Sequence, residues 1–334
     1  MHPLFGGPET RLAQHYFILA QLRSRLCIFT LHWYERLKLF RALAYALVCL
    51  TLSVYLDSCA AVHPIAESKA TLWKVRGDHN TLYLLGSIHV MSQRAYPLKP
   101  VIEHAFDNAN AVVFEIDLDR VTKRNFKEEF GRTALYPSGQ SLSEHLSPET
   151  IDVLNTILPV YGLSLKKVER FKPWFLAEVL STRTLEMAGF SNDLGVDLHF
   201  YRKAHAVGKP VLGLETVRDQ AQIFDRMDDA ENEQYLLSTL YGLPAYPAVM
   251  QNLVNAWTAG DVETLDRLVN EDKRADRESH DALFSRRNSR WLPEIERFAH
   301  GNGNYLIIVG AGHLVGEDGV VAGLKRAGYS VNQL

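Results

Sequence analysis

The chain has 334 residues, 47% of them hydrophobic and 22% charged, which is the composition of a protein that buries a sizeable core. Its 36 Lys and Arg against 39 Asp and Glu give a net charge of −3, so the basic footprint that nucleic acid requires is missing. DNA and RNA are therefore excluded as partners.

The first sixty residues differ from the rest. "RLKLFR", ending at Arg41, supplies three cations, and an apolar run of about 15 residues follows from Ala42 to Leu56. That run is shorter than the ~20 residues a spanning helix needs, and Asp57 closes it. Ser58 and Ala60 in "SCAA" stand where the small residues of a signal-peptidase site belong. Residues 1–60 are thus expected to be an N-terminal extension and a secretory signal, with residues 61–334 exported, in a bacterial setting to the periplasm. An uncleaved signal or a lipid on Cys59 would anchor the protein instead, and these are the two ways in which a membrane enters as partner. Cys27, Cys49 and Cys59 are the only cysteines. A chain cleaved after Ala60 would hold no disulfide, no cysteine nucleophile and no thiolate metal site.

In chain order, "TLWKVRGDHNTLYLLG" predicts two strands around a turn at Gly77 to Asn80. Val101, Ile102, Ala105, Phe106 and Ala109 then make a helical stripe, and the β-branched run from Ala111 makes a strand that reaches Glu115. Strand, helix and strand within about 35 residues imply parallel pairing through a crossover. A helical insertion over about 120–207 follows, with Ser147-Pro148-Glu149 as a helix start and Gly189 as a stop. "PVLGLE" restores a strand ending on Glu215, residues 216–300 read as helices again, and "NYLIIVGAGH" gives a strand, a glycine turn and His313 before a last helix and short strand. No repeat or low-complexity segment interrupts the pattern. The expected fold is α/β, a mostly parallel central sheet with helical insertions that cap it.

Four strands end alike, on His89, Glu115, Glu215 and His313. Groups at the carboxyl ends of neighbouring parallel strands share one crevice, where ligands bind. Two imidazoles and two carboxylates in such a crevice have two uses. They are ligands for Zn, Mn, Co or Fe, and a bound ion polarises a carbonyl and acidifies water. Without an ion, a histidine oriented by a carboxylate acts as general base on water. Both are hydrolysis. G-x-S-x-G, H-E-x-x-H and P-loop signatures are all absent from the chain. "GAGHLVG" has too few residues after it for a dinucleotide-binding half.

"LLGSIHV" with "VVFEIDL", "FKPWFLAEVL", "LGVDLHFYRKAHAVGKPVLGLETVRDQ", "SRRNSRW" and "IIVGAGHLVGEDGVVAGLKRAGYSV" together resemble the TraB/GumN family from about Leu72 to Val331. The pair of G-x-x-H motifs, Gly86 to His89 and Gly310 to His313, is its most specific mark. Related families include the Tiki proteins, described as metal-dependent proteases, and the erythromycin-esterase-like and ChaN-like proteins, the last a haem-binding branch. The resemblance implies a fold of the erythromycin-esterase/ChaN kind and an active site of His89, His313 and Glu115, with Glu215 as a further carboxylate. It adds Arg287, Asn288 and Asp197 as family positions, Arg287 being either a group for a substrate carboxylate or oxyanion or a helix salt bridge. The expectation is a metal-dependent hydrolase acting on a peptide or another small molecule. In it His89, Glu115 and His313 hold a divalent Mn, Co or Zn, and Glu215 is a fourth ligand or the base. A haem- or ligand-binding envelope protein without catalysis is the alternative.

Overall fold

A tight turn at Gly77 to Asn80 joins β1 (Leu72–Arg76) to β2 (Thr81–Ser87) as an antiparallel hairpin, with Trp73 opposite Leu84 and Val75 opposite Leu82. The computed structural model describes residues 69–120, 131–270 and 277–334, so the expected signal and the three cysteines lie outside the described residues. From Ser87 the chain runs through α1 (Pro100–Asn108), which starts on a proline whose missing N–H costs nothing at that position and which buries Ile102, Ala105 and Phe106. Next come β3 (Ala111–Ile116) and the first helical insertion, with α2 (Pro148–Ile157), α3 (Pro173–Met187) and α4 (Val196–Ala206) as its main helices. β4 (Val211–Glu215) leads into α5 (Val217–Asp225), α6 (Asp229–Gly242), α7 (Tyr246–Ala259), α8 (Val262–Asn270) and α9 (Arg286–Ala299). β5 (Tyr305–Gly310), α10 (Val320–Arg326) and β6 (Val331–Gln333) complete the chain.

The six strands lie in the order β4-β3-β5-β2-β1-β6. β4, β3, β5 and β2 are mutually parallel, and β1 is antiparallel to both β2 and β6. The architecture is the expected mostly parallel α/β sheet, with one difference in pairing. β2 and β3 do not pair with each other, because β5 lies between them and is hydrogen-bonded to both. The side chains of β5 account for this: Leu306, Ile307, Ile308 and Val309 are all fully buried, and a strand apolar on both faces belongs in the middle of a covered sheet.

Two cores form. The larger one surrounds the sheet and takes in Leu72, Leu84, Phe106, Val113, Phe200, Trp291 and Ile307. A second joins Leu142, Leu154, Leu176, Leu180, Leu236 and Leu240, mostly from α2, α3 and α6. The helical insertions thus have an apolar interior of their own. Among the described residues no helix is long and apolar enough to cross a membrane.

Candidate active site

The strand register sets the site. Ser87 is opposite Gly310 across β2 and β5, and Ile116 is opposite Glu215 across β3 and β4, so all four parallel strands end at nearly the same level. His89 lies two residues past the end of β2, and His313 ends a single 3-10 turn, Ala311–His313, after β5. The two G-x-x-H motifs meet where Gly86 packs against Ala311. A Cβ on Gly86 would stand 3.1 Å from the Cα of Ala311, so only glycine admits that approach. The carbonyl of Gly86 accepts a 2.6 Å hydrogen bond from the indole of Trp257 on α7, and the carbonyl of Trp257 accepts one from Thr71.

Gly310 forms the floor. A Cβ placed there would be 3.3 Å from Glu115 Oε1, 3.6 Å from the His313 ring and 3.9 Å from His89 Nε2. Residues 89, 115 and 313, more than 220 positions apart at the extremes, therefore surround one small space. Glu115 turns Oε1 to the Gly310 N–H at 2.8 Å. His313, Glu115, Glu215 and Arg287 form a buried wall, whereas the His89 side chain is 65% exposed at the rim.

Arg287 is the hub of that wall. Its NH2 group donates to Glu115 Oε2 at 2.5 Å and to Glu215 Oε1 at 2.6 Å, its Nε donates to Glu215, and its NH1 group donates to His313 Nε2 at 2.9 Å. The guanidinium also lies over the ring of Trp291, 4.7 Å from the centroid, and Trp291 donates its indole N–H to Glu215. Helical spacing explains the partnership, since residues 287 and 291 are one turn apart on the buried face of α9. Before α9, Asp281–Ser285 is a π-helical turn, and Arg287 NH1 donates to the carbonyl of Leu283 inside it. Such turns widen a helix locally and rotate the side chains of the next turn to a new direction.

Both histidines have Nδ1 committed, and His313 has Nε2 engaged as well. The His89 Nδ1 donates to Asp197 Oδ2 at 2.8 Å, and Ser87 Oγ donates to the other oxygen of Asp197. Asp197 reaches that position because Gly195 packs directly on the His89 carbonyl, where any Cβ would collide. The glycine thus lets α4 start against β2 with the Val196 N–H on the Ile88 carbonyl. His313 accepts from a guanidinium that does not deprotonate, so its proton is on Nδ1, donated to Asn288 Oδ1 at 2.7 Å. His89 Nε2 then faces the space over Gly310, while His313 presents its ring edge there with Nε2 held by Arg287.

The charges follow from these contacts. The Asp197 carboxylate is the main cause that raises His89 to about 10, against some desolvation and with help from Glu115. Burial above all, with the positive charges of Arg287 and His89, pushes His313 down to about 3 despite Glu115. Burial would raise Glu115, but His313, Arg287, His89 and the Gly310 amide outweigh it and hold the carboxyl at about 2. Because His313 is itself neutral, the lasting charges behind that depression are the guanidinium of Arg287 and the protonated ring of His89.

The fit to a divalent metal divides the expected ligands. His89 Nε2, His313 Nε2 and Glu115 are the right donors, and each imidazole has on its other nitrogen the acceptor that metal-binding histidines use to fix the tautomer. Glu215 has both oxygens engaged by Arg287 and Trp291. As they stand, no three His, Cys, Asp or Glu side chains among the described residues are close enough to hold an ion. The guanidinium of Arg287 fills the cation position between His313 and the two carboxylates.

The sequence model of the TraB/PrgY/gumN family matches residues 71–333. The chain belongs to that family. This TraB-family protein is 26% identical over 261 residues to YbaP of Escherichia coli (strain K12), a protein described as uncharacterized, and the match covers 74% of the chain and 94% of YbaP. It is 23% identical over 275 residues to an uncharacterized protein of Treponema pallidum (strain Nichols), covering 77% of the chain and 80% of that protein. A metalloprotease TIKI homolog of Amphimedon queenslandica is 24% identical over 356 residues, covering 89% of the chain and 68% of the homolog. No solved structure matches the chain.

Two groups at the site carried no sequence signal of their own. Gln220 donates to Glu115 Oε2 at 3.1 Å from the first turns of α5, whose start is fixed right after Glu215 by a Thr216/Asp219 capping box. Ser87 supports Asp197. Helical spacing from Thr216 would have placed Gln220 near the strand ends, whereas nothing in the sequence ties Ser87 to residue 197.

Proposed function

We propose that this chain is an exported, metal-dependent hydrolase that cleaves peptide bonds. One observation carries the reading: His89 Nε2, the His313 ring and Glu115 Oε1 all lie within about 4 Å of one point above Gly310. Similarity to a metalloprotease TIKI homolog agrees with it. When bound, a divalent ion supplies polarisation of the scissile carbonyl and a more acidic water. His89, Glu115 and His313 would hold it.

The chain's own side chains do the remaining work. Asp197 fixes the ring of His89 and raises its basicity, which strengthens it as a ligand once its proton has left. Asn288 keeps the Nε2 lone pair of His313 turned inward. Arg287 brings N–H donors to the space where negative charge grows on the carbonyl oxygen. Gly310 leaves that space free, and His89 at the exposed rim is where a substrate arrives. Glu215 serves the site through Arg287, which it holds by Nε and NH2.

The test is the metal content of the purified full chain together with hydrolysis of a mixed peptide library. About one Mn, Co or Zn per chain is expected, and His89→Ala is expected to lose both metal and activity. Full activity after exhaustive chelation would reject the metal, and inertness of the metal-loaded chain toward every peptide would reject the peptidase. Export to the periplasm predicts a mature form beginning at Ala61. A metal-independent hydrolysis is favoured by one observation, the guanidinium that already stands as the cation beside His313 and Glu115. The chelation experiment decides between the two.

A further inference from the structure

We infer that Arg287 is an internal cation that closes the site of the metal-free protein, and that a divalent metal must take His313 from it before the site is complete. This control of the same site rests on the metal-dependent reading proposed for it.

Lone pairs set the limit. A neutral imidazole with its proton on Nδ1 has one acceptor position, Nε2, and in His313 it is taken by Arg287 NH1 at 2.9 Å. The same nitrogen cannot bind a metal at the same time. Glu115 Oε2 is likewise engaged, by Arg287 NH2 and by Gln220, while Oε1 has accepted the Gly310 amide. Among the expected ligands, Glu115 Oε1 and, once its ring proton has left, His89 Nε2 are thus within reach and His313 is withheld.

Arg287 also has somewhere to go. Its Nε and NH2 groups hold Glu215 through three contacts of 2.6 to 3.3 Å, and NH1 already shares itself with the Leu283 carbonyl at 3.1 Å. Releasing His313 therefore breaks one hydrogen bond and leaves the anchor on Glu215 and the face of Trp291 intact. Until then the guanidinium keeps two buried carboxylates paired, which a folded chain without metal needs. The freed NH1 would be the donor nearest the reacting carbonyl, so loading the metal and arming the arginine become one event.

The experiment is calorimetric titration of Mn²⁺ and of Zn²⁺ into the metal-stripped full chain and into Arg287→Gln. The variant is expected to bind about tenfold more tightly or better, the worth of one charge-assisted hydrogen bond. Equal or weaker binding by a folded Arg287→Gln overturns the inference and leaves the metal reading standing. Binding by neither protein overturns that reading too. A second measurement needs no variant at Arg287: in the wild type, metal should shift the emission of Trp291, because the His313 ring that exchanges the guanidinium for the ion lies 4.4 Å from the Trp291 ring, and the shift should vanish in Trp291→Phe. Heat of binding without any change at Trp291 overturns the inference even if Arg287→Gln fails to fold.

Discussion

Replacing Glu115 by Gln probes the buried wall at its weakest point. The carboxylate accepts from the Gly310 amide through one oxygen and from Arg287 and Gln220 through the other. Whichever way a glutamine is turned, its NH2 group meets a donor. The folded protein holds Glu115 at about 2, against an ordinary 4.5, so its ionised form favours the native state by about 3 kcal/mol at about 1.36 kcal/mol per pH unit. Losing one partner of a buried ion pair costs a comparable ~3–5 kcal/mol. Urea unfolding at pH 7 should therefore show Glu115→Gln destabilised by about 3 kcal/mol. The sign with pH is fixed, because a depressed carboxyl contributes stability above its unfolded pKa and loses it as pH falls toward the folded one. The gap between the two proteins should stay nearly constant down to about pH 5 and shrink to less than half its size by about pH 3. A gap below about 0.5 kcal/mol at pH 7, or one indifferent to pH, would refute the view that Arg287 and Gly310 hold an ionised Glu115.

Two further substitutions test the floor and the rim. Gly310→Ala would put a methyl group 3.3 Å from Glu115 Oε1 and 3.9 Å from His89 Nε2; metal affinity and peptidase activity should fall by about tenfold or more, while the melting temperature changes little, and unchanged titration curves would move the site elsewhere. Asp197→Asn removes the main cause of the raised His89 pKa, so the imidazole NMR resonance of His89 should titrate well below 10 and metal affinity should drop by about 10- to 100-fold; a titration unmoved by the change would show that Asp197 does not govern this ring.

Much of this site is legible from the chain, for a physical reason. β2, β3, β4 and β5 are short and mostly apolar, so their ends are sharp, and a titratable side chain just past such an end stands out. Their order is not legible, because the tendency of a β-α-β unit to pair its own strands competes with the burial demand of β5, and burial wins. The role of Asp197 is hidden too, since it depends on a close approach of Gly195 to the His89 carbonyl that no local pattern reveals. Arg287 is reached through the family resemblance alone, with no local pattern behind it. On a helix full of arginines it looks like one more solvated cation, and only the π-helical turn and the 172 positions separating it from Glu115 in sequence explain why it is the one that points inward.

The seat of β5 between β2 and β3 has a consequence in time. A polypeptide that has emerged only as far as Asn304 carries His89, Glu115, Glu215 and Arg287, but it lacks the strand that brings the first of these beside the others, the amide of Gly310 and the second histidine. An unfinished or clipped product of this kind would leave the candidate centre unassembled, so its groups come together only once Tyr305–Gly310 has threaded between β2 and β3.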